Sequence, residues 1–203
     1  MSRLDKAPTG FEFNWETLVH IALYGGSFNP PHCAHALVAE WVVQSGAADE
    51  VWLVPVYQHA LDGQQSKQLA PFTDRLAWCA AMADSLSVPV RVSDVESKLP
   101  VPSYSIDTLN HLARSHPEHQ FRLVVGADIL GQTDQWKSWD EIEQNFNPLV
   151  VGRTGYPAPE GVPVFPAVSS TEVRTRLASG QPVDELVVPA VLAALQRGHP
   201  WQA

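Results

Sequence analysis

Residues 20–46 read HIALYGGSFNPPHCAHALVAEWVVQSG. The apolar stretch HIALYGG (20–26) has the character of a buried strand that stops at two glycines. From residue 34 the pattern changes. AHALVAEWVVQSG (34–46) places Leu37, Val38, Trp41 and Val42 on one helical face, with Gly46 as the stop. Between the two lie Pro30 and Pro31, which fix the loop, and two histidines, His32 and His35, three residues apart.

The alternation continues downstream. EVWLVPV (50–56), VPVRVSDVE (88–96), FRLVVGAD (121–128) and PLVVGRT (148–154) read as strands. Helical patterns occupy 73–85, capped by Thr73, then 105–116, 138–146, 169–180 and 189–198. In the second of these, Ile106, Leu109, Leu112 and Ala113 form a stripe opened by Ser105; in the fourth, Ser169 and Glu172 have capping-box spacing. Segment 57–72 is polar and long for a plain connection, a length at which loops are often functional. The proline-rich 156–167 is expected to wrap the surface before or within a short strand. Strands alternating with helices predict an α/β fold, a doubly wound parallel sheet, with a small C-terminal helical part. Residues 1–18 read as an irregular leader and 19–203 as a single domain. In such sheets ligands sit beyond the C-terminal strand ends, where GGSFNPPHCAH, VGAD and the Arg153 turn fall.

Composition narrows the function. With 203 residues, 45% of them hydrophobic, the chain can bury a sizeable core. Cys33 and Cys79 form no CxxC pair, so neither a disulfide framework nor a structural zinc site is expected, and a reducing compartment fits. No window is apolar enough to span a bilayer and the N-terminus lacks a signal-peptide stretch, so a cytoplasmic location with no membrane partner is expected. A net charge of −9 disfavours nucleic acid as a partner. A small anion would need local cations or helix N-termini, and the basic residues to watch are Lys67, Arg75, Arg153, Arg174 and Arg176.

The first loop carries the chemistry. Gly25 and Gly26 lack Cβ atoms, so a ligand or another backbone can approach closely. His32 and His35 share a face of the helix N-terminus, where free N–H groups favour an anion. Two imidazoles there can donate hydrogen bonds to phosphoryl oxygens and stabilise a phosphoryl- or nucleotidyl-transfer transition state. Zinc would want a third and fourth ligand, and no acid stands at HExxH spacing, so no metal ligand is assigned. The loop fits neither GxGxxG nor GxxxxGK[ST].

GGSFNPPHCAH resembles the GGxFxPxHxGH signature of the HxGH nucleotidyltransferase superfamily, and SSTEVR resembles its ISSTxIR signature. PSYSIDTL, VGADIL and a tryptophan pair further resemble the bacterial nicotinate mononucleotide adenylyltransferase branch, over about residues 20–198 in consistent order. Ala34 stands where the signature has glycine, and the PPHK-like loop is replaced by VPVYQHALDGQQSK, with His59 and Lys67 as nearest equivalents.

The resemblance implies a Rossmann-like nucleotidyltransferase fold and an enzyme of NAD biosynthesis, joining ATP and nicotinate mononucleotide into deamido-NAD and pyrophosphate. It implies catalytic roles for His32, His35 and Arg174. ATP would be bound by Gly25, Gly26, Ser27, Phe28, His35, Gly126, Asp128, Arg153, Ser170, Thr171 and Arg174. The mononucleotide would meet Ser27, Phe28, His59, Lys67, Tyr104, Ser105 and Trp136. Mg²⁺ would be held mainly by ATP oxygens and water. A homo-oligomer stays open. So do another acceptor or donor within the superfamily (nicotinamide mononucleotide, phosphopantetheine or a cytidylyl donor) and a non-catalytic nucleotide-binding regulator.

Several of these positions also have a physical case. Asp128 at a strand end can accept hydrogen bonds from ribose hydroxyls, or cap the next turn. Trp136, flanked by Asp134, Gln135 and Lys137, suits a pocket lip where a pyridine ring stacks, although core packing is the commoner fate of tryptophan. Trp41, Trp52 and Trp78 lie on apolar faces and are expected in the core. Tyr104 and Ser105 open a helix whose free N–H groups can hold a carboxylate. Arg176, two residues after Arg174, points about 200° away around the helix.

Overall fold

The computed structural model describes residues 18–59 and 69–201. Residues 1–17 of the leader and Lys67 lie outside the described residues.

Among the described residues six parallel strands form one sheet: β1 (Val19–Gly26), β2 (Glu50–Pro55), β3 (Val90–Val92), β4 (His119–Gly126), β5 (Leu149–Arg153) and β6 (Val164–Phe165), in the order β3-β2-β1-β4-β5-β6. The helices are α1 (Cys33–Gln44), α2 (Phe72–Ala83), α3 (Ser105–Ser115), α4 (Trp139–Phe146), α5 (Ser170–Ala178) and α6 (Pro189–Gln196). The doubly wound α/β expectation therefore holds. The order reverses between β1 and β4, so the crevice for a ligand opens at the C-terminal end of β1.

Strand periodicity splits the core in two. Ala22, Val51, Leu53, Val124 and Val151 point to one face and pack with α1, α2, α5 and α6. Ile21, Leu23, Trp52, Val54, Phe121, Leu123 and Val125 point to the other and pack with α3 and α4. Strands covered on both faces read as unbroken apolar runs, which is why they were visible in the sequence.

Local details differ from the sequence reading. Leu37 is 45% exposed, because α1 buries Ala34, Ala36, Val38, Ala39 and Val42 instead: small residues let the helix sit close to the sheet. Trp52 and Trp78 are buried, but Trp41 is only partly so, against Phe165. Thr73 is not a cap; α2 starts one residue earlier, after Pro71, and the Thr73 hydroxyl reaches Asp74. The strand expected over 88–96 is only Val90–Val92, and Val95–Lys98 turns into a 3₁₀ helix. There Glu96 is drawn inside to accept the Tyr57 N–H at 2.9 Å. A second 3₁₀ segment, Ala127–Gln135, follows β4 where no helical period was legible.

Candidate active site

The loop from Gly25 to His32 leaves the sheet at the switch point. Its two glycines do different jobs. A Cβ on Gly26 would meet the Phe28 ring at 3.2 Å, so this glycine makes room for a side chain of the protein itself. A Cβ on Gly25 would meet nothing within 4 Å, so space for a ligand stands over its Cα. Phe28 adopts φ +43°, a left-handed conformation costly for a bulky residue. Its burial offsets the cost: the ring, 1% exposed, packs edge-on against Tyr24 at 5.7 Å and His35 at 4.9 Å.

The following residues are held from outside the loop. Arg174 donates to the Asn29 carbonyl at 2.9 Å and to the Thr171 hydroxyl at 3.2 Å. The Ser170 hydroxyl donates to the Pro30 carbonyl at 2.8 Å. The start of α5 is thereby pinned beside the start of α1. At α5 half of the expected capping box forms: the Ser169 hydroxyl accepts the Glu172 N–H, while the Glu172 carboxylate pairs with Arg176. Arg176 also meets Glu185 and is fully engaged on the outer surface, away from Arg174.

His32 is the N-cap of α1, and its ring stacks on His35 at 3.7 Å with the planes 25° apart. His35 Nδ1 accepts the His32 N–H at 3.0 Å, so the ring proton of neutral His35 sits on Nε2, available as a donor. Burial and then the Arg153 charge hold His32 down to about 4. Burial, then His32, then Arg153 hold His35 well below the ordinary imidazole range. Both rings are therefore neutral at pH 7.

Arg153, at the end of β5, donates Nη2 to the Val168 carbonyl at 3.1 Å and lies over the Tyr156 ring. Its Nε is buried with no partner, and so is His32 Nδ1. Both residues line a cavity of about 250 Å³ with Ser27, Asn29, Ser169, Ser170, Thr171 and Arg174. The cavity thus lies between the N-termini of α1 and α5, under two arginines, with two desolvated polar atoms unmet. Ala34, buried and absent from this lining, does not intrude on it.

The other side of the crevice gathers the remaining predicted residues. The Ser27 hydroxyl meets His59 Nε2 at 2.9 Å, and His59 forms a bridge with Ser103, next to Tyr104 and Ser105 at the start of α3. The Ser105 and Ile106 N–H groups open the first turn of that helix, where no carbonyl within the helix can reach them. Trp136 is half-buried, edge-on to Trp139 at 5.6 Å, and packs on the same core face as Tyr104. Lys137, not singled out in the sequence, joins the two: its ammonium lies 4.7 Å from the Tyr104 ring centre and pairs with Asp107 at 2.8 Å. Its i, i+30 relation to Asp107 leaves no local signal. Asp128 is exposed and folds back over Gly126, where a Cβ would strike its carboxylate; its charge helps raise the Tyr24 hydroxyl pKa, after burial.

The His32 shift has a consequence for stability. Its unfolded value is near 6.5, so the contribution is full above that pH and is lost as pH falls toward 4. By pH 4.5 the loss is on the order of 2 kcal/mol, and the lowered pKa of His35 adds to it with the same sign. Urea unfolding at pH 7 and pH 4.5 should show that loss. His32→Asn should lose markedly less over the same interval; an equal loss would assign the acid sensitivity elsewhere.

A family model described as cytidylyltransferase-like matches residues 23–176. A protein of Anaeromyxobacter sp. (strain K) named "Probable nicotinate-nucleotide adenylyltransferase" is 46% identical over 175 residues, 85% of this chain and 91% of that protein. A protein of the same name from Myxococcus xanthus (strain DK1622) is 38% identical, covering 89% of this chain and 93% of its own. Among solved structures, Plasmodium falciparum nicotinic acid mononucleotide adenylyltransferase complexed with NaAD is alike in fold, with a TM-score of 0.72 at 18% identity over 90% of this chain and 97% of that one. The matched span runs from β1 to α5 and includes both helix starts that close the cavity; the chain belongs to the cytidylyltransferase-like family.

Proposed function

We propose that this protein is a nicotinate-nucleotide adenylyltransferase, joining ATP and nicotinate mononucleotide into deamido-NAD and pyrophosphate. The relatives' names and their similarity along the chain give the reaction. The observation that carries the chemistry is the pair of buried, unmet atoms, His32 Nδ1 and Arg153 Nε, lining one cavity between two helix N-termini. Phosphoryl oxygens supply the acceptors that Arg153 lacks and the charge that the helix starts favour.

The mononucleotide phosphate attacks the α-phosphorus of ATP in line. One P–O bond forms, the α–β bridging bond breaks, and the electron pair leaves with pyrophosphate. His35 Nε2–H donates to the oxygens of the reacting phosphorus, and His32 binds beside it. Arg174, Arg153 and the Ser170 and Thr171 N–H groups take the β- and γ-phosphates. Gly25, Gly26, Ser27 and Phe28 shape the backbone against which ATP lies, and Gly126 leaves room for Asp128 to meet a ribose. No group in this scheme becomes covalently attached to the substrate; catalysis is positioning and charge stabilisation. The described cavity lining contains no carboxylate, so it offers Mg²⁺ no oxygen cage of its own. The ion fits as part of the substrate, entering on the ATP phosphates with its waters.

On the acceptor side, the pyridine ring stacks on Trp136. The first-turn N–H groups of α3 near Tyr104 and Ser105 hold the carboxylate, with Ser27, Phe28 and His59 beneath the mononucleotide. Lys137 offsets the charge of Asp107 in the first turn of α3, which would otherwise repel that carboxylate. The role assigned to Lys67 falls outside the described residues. Trp136→Ala should raise KM for the mononucleotide about tenfold, a stacked base being worth roughly 1–3 kcal/mol, and leave KM for ATP nearly unchanged. An unchanged mononucleotide KM would remove Trp136 from the pocket and leave Trp139, or neither, in the role.

A further inference from the structure

We propose that Arg75 is a positioning residue: by holding the Ser27 and Ala70 carbonyls it sets the loop that places Ser27 against His59 in the acceptor half of the site. The proposal rests on the reading of that half given above.

Arg75, on α2, is only 1% exposed, the largest fully buried side chain among the described residues. No ion pair includes it among the described residues; burial lowers its pKa, and Glu96 acts on it through space. A guanidinium buried without a contacting carboxylate is a poor way to fill a core. Met occupies similar volume with no charge to desolvate. What the guanidinium alone supplies is several donors fixed in one plane.

Those donors are used on backbone. Nε donates to the Ala70 carbonyl at 3.1 Å and Nη1 to the Ser27 carbonyl at 3.0 Å. The Phe72 ring, 5.3 Å away, packs against the guanidinium. Ala70 is gripped a second time, its N–H donating to Asn29 Oδ1 at 2.9 Å. Arg75, Ser27, Asn29 and Ala70 thus form a closed clasp on the loop leaving β1. The Ser27 side chain, on the other side of the same residue, meets His59 at 2.9 Å. Arg75 does not line the cavity. It reaches the substrates only through where it holds Ser27.

The test uses Arg75→Met and Arg75→Lys. Met keeps the packing but leaves the Ser27 and Ala70 carbonyls without their donor and the buried Glu96 without that charge, so it is expected to fold and to melt below wild type. Lys keeps the charge, but one ammonium cannot serve both carbonyls in the guanidinium's geometry. In both, kcat/KM for nicotinate mononucleotide should fall on the order of tenfold, since small misplacements near a reacting group are costly. KM for ATP should rise less than KM for the mononucleotide, since Ser27 also lines the phosphate cavity but meets His59 only on the acceptor side. Adding His59→Ala to either variant should cost less than it does in wild type, because both changes act on one contact. Independently of turnover, the His59 ring signals in ¹H–¹⁵N imidazole spectra should move in both variants as they do in Ser27→Ala. Wild-type His59 signals in a folded Arg75→Met or Arg75→Lys overturn the proposal. So does an equal rise in both KM values, which is what general loosening of the fold would give. If wild type itself does not use nicotinate mononucleotide, the acceptor reading fails, and the His59 spectra still decide whether Arg75 sets the pair.

Discussion

His35→Asn is expected to fold and to lose about 10²–10³ in kcat, or roughly 3–4 kcal/mol of transition-state stabilisation, the usual cost of one preorganised donor. Asparagine is the informative replacement because His35 has two jobs at two atoms. Nδ1 accepts the His32 N–H and closes the first turn of α1. Nε2 carries the proton that faces the reacting phosphate in the proposed scheme. The amide oxygen of asparagine can take the first job, while its short side chain cannot reach the second. Alanine removes both, while either replacement takes from the Phe28 ring one of its two edge contacts and leaves the one to Tyr24. The melting temperature of His35→Asn should therefore lie nearer wild type than that of His35→Ala, with similar kcat in the two. Near-normal kcat in His35→Asn would mean that the ring serves the helix cap and the packing of Phe28 rather than the reaction.

Much of this site could be read from the chain because its parts are local. His32 and His35 are three residues apart, and the same spacing that makes a helix turn stacks their rings at 3.7 Å. Ser169 to Arg174 is one helix start, and Arg174 and Arg176 diverge as helix geometry requires. Parallel strands buried on both faces gave continuous apolar runs, so the sheet was also legible. What could not be read depends on distant pairing. Lys137 matters through Asp107 and Tyr104, and Arg75 through Ser27 and Ala70, contacts set by how α2 and α3 dock on the sheet. Gly26 looked like an opening for a ligand and serves Phe28, whose left-handed turn has no signature in a phenylalanine. Leu37 followed the helical period yet faces outward, since the alanines beside it allow the closer approach.

The choice of acceptor rests on one carboxylate. In the proposed site, backbone N–H donors at the start of α3 hold the two oxygens of a nicotinate carboxylate. Nicotinamide presents an NH₂ at one of those positions, and donor then faces donor. A mismatched buried hydrogen bond costs on the order of 1–3 kcal/mol, more when a charge is lost with it. Selectivity of about tenfold or more in kcat/KM follows, rising if the closed site is dry. The direct measurement is initial-rate pyrophosphate release from ATP by the wild-type protein with nicotinate mononucleotide and, separately, with nicotinamide mononucleotide, the dinucleotide product identified by mass. Stoichiometric deamido-NAD and pyrophosphate are expected, with nicotinate mononucleotide preferred by at least about tenfold. Equal use of the two acceptors would contradict the carboxylate site, and no pyrophosphate with either would contradict adenylyl transfer itself.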